Sequence, residues 1–480
     1  MERFGLEDGI IKFFYKAKEI PVEETEEAKA SDSVEKLCVR AEENYESGKT
    51  EQAFKLWEIA AERGYAHAQF CLAVCYELGL GVDVDISKAF DLLQKSAEQD
   101  DVHGQFRLGI YYLNYKDLDF ADNKAYYWFS QAANNDFPPA IYYLGECYFD
   151  GIGQPVDKKK ALQLFEAAAQ KEYFPAFYKL GVCYEKGEGV EINLEKAAEN
   201  YSKAAQGGYA PAKYALALFY ENGTVVEKSY EEAVRLYKEA AEDGYPAAQN
   251  AYGWCFVVGK TVKQDKYEAV RWFQRAAKQG NMRAQYNLAV CYEEGRGVIR
   301  NLEKAYQWYL QSAEQGDDRA QLHVGWCYQV GNGVKADGKA AFEWLEKSAM
   351  QGNAQAQSDL GYCYFSGIGI KKNKAEGFKW YLKAAELNNV MAMYNVGCNY
   401  RHGDGVKKDG SKAIEWYEKA AQAGSTDALL SMGNMYERGD GVKKDLAKAY
   451  DFYKKAYDSG EELVEILLRK KKFSKLAANK

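Results

Sequence analysis

Residues 281–316, NMRAQYNLAVCYEEGRGVIRNLEKAYQWYLQSAEQG, decide the fold. The first half sets Ala284, Leu288, Cys291 and Tyr292 at i, i+4, i+7 and i+8, the apolar stripe of one helix. In the second half Ala305, Trp308, Tyr309, Ser312 and Ala313 stand at i, i+3, i+4, i+7 and i+8, a second such stripe. Between them, Gly295-Arg296-Gly297-Val298 supplies a turn whose glycines accept positive φ, and Gly316 stands where a second helix would end. Two such helices cannot bury both stripes on each other, so the unit requires neighbours of its own kind.

Stepping by 36 residues finds them. From Tyr65 to Gly460 the period runs through eleven units without insertion or deletion. Ala holds the fourth position in all but one unit, where Gly104 stands instead, and the twelfth position is always aromatic. Trp occupies the twenty-eighth position at 128, 272, 308, 344, 380 and 416. Small residues at recurring positions let helices approach to about 8–10 Å, and rings fill the space that remains. The expected fold is all-α, a right-handed α/α superhelical solenoid of antiparallel helix pairs in 36-residue repeats.

Four segments follow. Residues 1–33 read as a short amphipathic piece and an acidic linker; 34–64 form a first helix pair with a shorter turn; 65–460 carry the eleven repeats; 461–480 form a capping helix with a basic tail. Asp32 is expected to cap the first helix, and Leu463, Ile466 and Leu467 to cover the last layer.

A net charge of −8 disfavours nucleic acid as a general partner. No apolar run is long enough to span a membrane, and the N-terminus has no small-residue cleavage site, so a cytoplasmic location is expected. Seven of the ten cysteines hold the eleventh position, at 75, 147, 183, 255, 291, 327 and 363. One layer apart, about 10 Å, they are too distant for disulfides and read as buried thiols. A metal ladder is the weaker reading, because four histidines supply few co-ligands. No cofactor, catalytic or metal residue is therefore assigned. His67 and His103, both at the third position, read as surface polar residues. The G-x-G turns and residues 405–412, GVKKDGSK, lack the order of a phosphate loop. Ser33-Val34-Glu35-Lys36 matches S-x-x-K but stands at a helix start, where capping explains it.

The string Ala320-Gln321 … Gly325 … Tyr328 … Gly331-Asn332-Gly333-Val334 … Ala341 … Trp344 … Ala349 … Gly352 resembles the Sel-one-like repeat family, relatives of the tetratricopeptide repeat, over roughly residues 34–460. That resemblance implies an adaptor without chemistry, which holds a partner protein or peptide in a concave groove lined by the first helix of each pair. On it, the third, sixth, tenth, thirteenth and fourteenth positions face the groove. Trp254, Val257, Val258, Tyr286, Trp326, Val330, Tyr362 and Phe365, with Val290 between, then make an apolar stretch. Either these side chains stand exposed as partner anchors, or curvature buries several against the next helix. Lys371, Lys372, Lys407, Lys408, Lys443 and Lys444 repeat at one turn position, as a basic edge or simply a solvated face. Two other classes remain: a β-lactam- or peptidoglycan-related hydrolase, as proposed for cysteine-rich relatives that carry two cysteines per repeat, and a regulatory subunit of a separate enzyme.

Overall fold

A computed structural model describes residues 32–461, 465–468 and 473. The chain is an α/α solenoid of about 36-residue repeats: among the described residues, twelve helix pairs run from Val34–Glu46 and Thr50–Glu62 to Thr426–Arg438 and Leu446–Asp458. The helices divide into two compact units, Met1–Leu236 and Tyr237–Lys480. The amphipathic piece and nearly all of the acidic linker lie outside the described residues. So do Leu463, residues 469–472 of the basic tail and the side chains of Ile466 and Leu467. Phe473 is buried against Tyr450 and Tyr453, with ring centroids at 6.0 and 5.9 Å.

Ser33, not Asp32, caps the first helix. Its Oγ accepts from the Lys36 N–H at 3.3 Å, while Asp32 pairs with Arg40 at 3.1 Å. A serine at this step has the extended backbone a cap needs (φ −69°, ψ 154°). The second pair, Ala66–Leu78 and Ile86–Glu98, is joined by residues 79–85, whereas the first pair needs only residues 47–49. One repeat has no glycine in its turn. There Phe120 takes the left-handed conformation at φ 58°, and the helix Ala121–Asn134 starts without a side-chain cap.

The two turn glycines have different tasks. The first closes the first helix: Gly295 sits at φ +73°, its N–H bonded to Cys291 O. The second lets layers meet. A Cβ on Gly297 would stand 2.2 Å from Lys266 O of the preceding pair, and one on Gly333 would stand 2.1 Å from Leu302 O. Within a repeat, the ninth residue is Gly or Ala, and at most of the glycines a ring from the second helix lies on it; at Gly325 the side chain is Leu345. A Cβ on Gly397 would reach Tyr417 at 2.6 Å, and on Gly433 would reach Tyr453 at 2.6 Å.

The glutamine of the A-Q pair is buried and joins neighbouring pairs. Gln321 Nε2 donates to Ala313 O at 3.1 Å, and its Oε1 accepts from Gln351 Nε2 at 2.8 Å. Gln285 repeats both contacts, with Ala277 O at 3.3 Å and Gln315 Nε2 at 2.7 Å. A buried amide needs such partners, since an unsatisfied one costs about 1–3 kcal/mol.

Candidate functional site

The first helices of the unit Tyr237–Lys480 carry the residues predicted for the groove. Trp254 is 52% exposed, Val258 53%, Val330 64% and Tyr362 49%. Val257, Tyr286, Val290, Trp326 and Phe365 are half-buried. Phe365 turns inward onto Gly377 and the Tyr381 ring, 5.3 Å away. Met391, at the third position, adds another exposed apolar side chain.

Polar bonds between layers hold these residues, many through the seventh position, which the sequence pattern left out. Trp326 Nε1 donates to Asp359 Oδ2 of the next layer at 2.7 Å, and Gln355, one turn earlier on the same helix as Asp359, donates from Nε2 to its Oδ1 at 2.9 Å. Asn287 Nδ2 donates to Asn250 Oδ1 at 2.9 Å, and Tyr286 Oη lies 3.4 Å from His323 Nε2. The chemistry at this position varies from layer to layer: Asn287, His323, Asp359, Asn395, Ser431. That failure to repeat is the signal that could have found it. Burial raises the Asp359 carboxyl above its usual range, while the bonds from Trp326 and Gln355 pull it back.

His323 stacks on Tyr309 (4.5 Å, 15°) and meets Trp326 edge-on at 4.9 Å. Tyr286, Glu293, Asp317 and Arg319 complete its surroundings. Burial lowers its pKa below 6.5; Glu293 and Asp317 oppose the shift and Arg319 adds to it. A lowered pKa means the fold prefers neutral imidazole, so the unfolded chain binds the proton more tightly. This contribution is intact above pH 6.5 and falls away as pH drops through that value toward the folded one. The urea midpoint should therefore decline with acidification less steeply in His323→Phe than in the unmodified chain.

Lys371, Lys372, Lys407, Lys408, Lys443 and Lys444 are all exposed. Lys408 reaches Asp440 at 3.2 Å, an acid also held by Arg401 at 2.8 Å, so this edge is partly neutralised.

All ten cysteines are free thiols, eight of them buried. Burial pushes Cys75, Cys147 and Cys327 up to about 12, leaving them protonated and unreactive at neutral pH. The two N-terminal histidines depart from the surface-polar expectation. His67 and His103 lie half-buried with centroids 5.1 Å apart, and His67 Nδ1 is 3.3 Å from Asp101 Oδ2. Burial pushes His103 down to about 4, against the pull of Asp101. The Asp101 and Glu42 carboxylates outweigh burial at His67 and raise its pKa.

Among the described residues, no helix is long and apolar enough to cross a membrane. The Sel1 repeat family model matches twelve segments, beginning with 47–65 and 66–101 and ending with 426–461. A protective antigen of uropathogenic Escherichia coli with an SLR fold is similar at 30% identity and TM-score 0.63, covering 87% of this chain and 91% of that one. A Sel1 repeat protein of Oxalobacter formigenes shares 30% identity over 65% of this chain and 90% of its own, with TM-score 0.46. No curated protein matches in sequence. With the helix-pair repeat matched by that model in twelve consecutive segments, the chain belongs to the Sel1 repeat family.

Proposed function

We propose that this chain is a protein–protein interaction scaffold without catalysis of its own, and that it takes an extended or helical segment of a partner along the first helices of Tyr237–Lys480. Solenoids of this family generally serve protein interaction. The observation that carries the site is Trp254, half in water at the tenth position, on the face that also exposes Val258, Val330 and Tyr362. An aromatic kept in solvent is the residue type that supplies most binding energy once covered. The bond from Trp326 to Asp359 fixes its indole in place, so little side-chain entropy is lost on docking. The two-lysine turns form a separate edge that favours acidic flanks on the bound segment.

A peptide selected from a display library on the intact chain provides the test. Trp254→Ala should weaken its binding about 30-fold or more, the effect of losing a 2 kcal/mol anchor. Trp326→Ala should weaken it as well, while Ile299→Ala, exposed outside this face, should not. Equal affinities for all three variants would remove the groove assignment.

A further inference from the structure

In the unit Met1–Leu236, two histidines one repeat apart and the first residue of the later repeat meet at a single point. One ring nitrogen each of His67 and His103 and one carboxylate oxygen of Asp101 lie within 4.8 Å of one another. From this juxtaposition we infer a divalent metal site, with zinc(II) as the ion it fits, held by His67, Asp101 and His103.

The geometry is close to what zinc asks. Ligand bonds of about 2.1 Å place tetrahedral ligand atoms about 3.4 Å apart. His67 Nδ1 and Asp101 Oδ2 already stand at 3.3 Å. Only the third ligand, the His103 ring, must close in. Asp101 divides its work: Oδ1 accepts the Gly104 N–H at 2.7 Å and caps the helix Val102–Asn114, while Oδ2 turns to the histidines. One carboxylate oxygen can thus bind metal without uncapping the helix. On the far side of His67, Glu42 Oε1 lies 4.0 Å from Nε2. With an ion on Nδ1 the imidazole proton sits on Nε2 and faces this carboxylate, which must close to hydrogen-bond distance to take the outer-shell role that orients metal-binding histidines. Phe70 packs on both imidazoles at 5.6 Å and Phe137 on His103 at 5.3 Å, a low-dielectric floor that strengthens ligand charges. The His67 side chain keeps 29% of its surface in solvent, so the ion has an entry path and a water can take the fourth position. Two imidazoles with one carboxylate suit zinc rather than calcium or magnesium, which prefer oxygen alone.

Calorimetric titration of the untagged full chain with zinc chloride tests this directly. One zinc per chain is expected. His103→Phe keeps a ring between Phe70 and Phe137 and should abolish that binding; Asp101→Asn keeps a helix cap and should weaken it at least about 10-fold. Glu42 is a positioning residue, so Glu42→Gln should retain the one-to-one stoichiometry with affinity reduced about 10- to 100-fold. Cobalt(II) in place of zinc should show visible d–d bands without thiolate charge transfer. Zinc retained at full stoichiometry by both His103→Phe and Asp101→Asn, a thiolate charge-transfer band, or no zinc uptake would each overturn the assignment.

Discussion

Gly333→Ala is expected to destabilise the unit Tyr237–Lys480 by about 3 kcal/mol or more, whereas Gly331→Ala in the same turn should cost about 1–2 kcal/mol. Both glycines are left-handed, at φ +71° and +81°. They share the penalty a Cβ incurs in that conformation, about 1–2 kcal/mol. Their surroundings differ. At Gly331 the new carbon would meet Ala336 Cβ at 3.5 Å, an ordinary contact. At Gly333 it would meet Leu302 O at 2.1 Å, backbone of the preceding pair that no side-chain rotation can move. Relief requires the two layers to part, which withdraws burial along their whole interface. Urea midpoints give the two losses. Faster amide exchange in Leu302–Glu314 and Asp318–Val330 for the Gly333 variant alone would place the damage between layers. Equal losses at both sites would mean that the second glycine serves only its own turn.

That distinction marks a boundary in what the chain reveals as letters. Period and helix pairing were legible because each depends on residues a few steps apart, and Gly295, in the expected turn, closes Met282–Glu294. The first cap was not: the acid at Asp32 matched the pattern, but the backbone turns one residue later, at Ser33. Gly297 was readable as a turn glycine, but its approach to Lys266 belongs to the stack. The same limit hid the histidine cluster. His67 and His103 share one repeat position, yet nothing local shows that equal positions in adjacent repeats become neighbours, or that Asp101, at the head of its repeat, turns an oxygen toward them. The groove was legible as a set of positions and not as a surface. Trp254 and Phe365 belong to the same predicted stretch, but Phe365 finds the space above Gly377 and turns in, while Trp254 stays exposed. The room for Phe365 comes from Gly377 on the second helix, a contact between elements that no local pattern shows.

Tyr309→Ala carries the other large expected effect, a loss of about 4 kcal/mol. The ring is fully buried, lies over the small Ala289 layer, and stacks on His323 while tilting against Tyr286 at 5.6 Å. Removing it leaves a cavity whose walls are packed helices that close only in part. Tyr309→Phe separates the ring from its hydroxyl. Tyr309 Oη donates to Glu293 Oε2 at 2.6 Å, but the Glu293 side chain keeps 34% of its surface in solvent and water can replace the lost donor. The phenylalanine variant should therefore cost only about 1.5 kcal/mol, the low end of the range for bonds to charged groups. The two variants also separate stability from recognition. With the ring kept, His323 remains stacked and the indole of Trp326 stays edge-on to it, so partner binding should be unchanged in Tyr309→Phe. In Tyr309→Ala the imidazole loses its support, and with it the packing that positions Trp326, so binding should weaken even where the variant is fully folded. Urea midpoints that fall equally for both variants would show that the Glu293 bond, not the ring, holds these layers together.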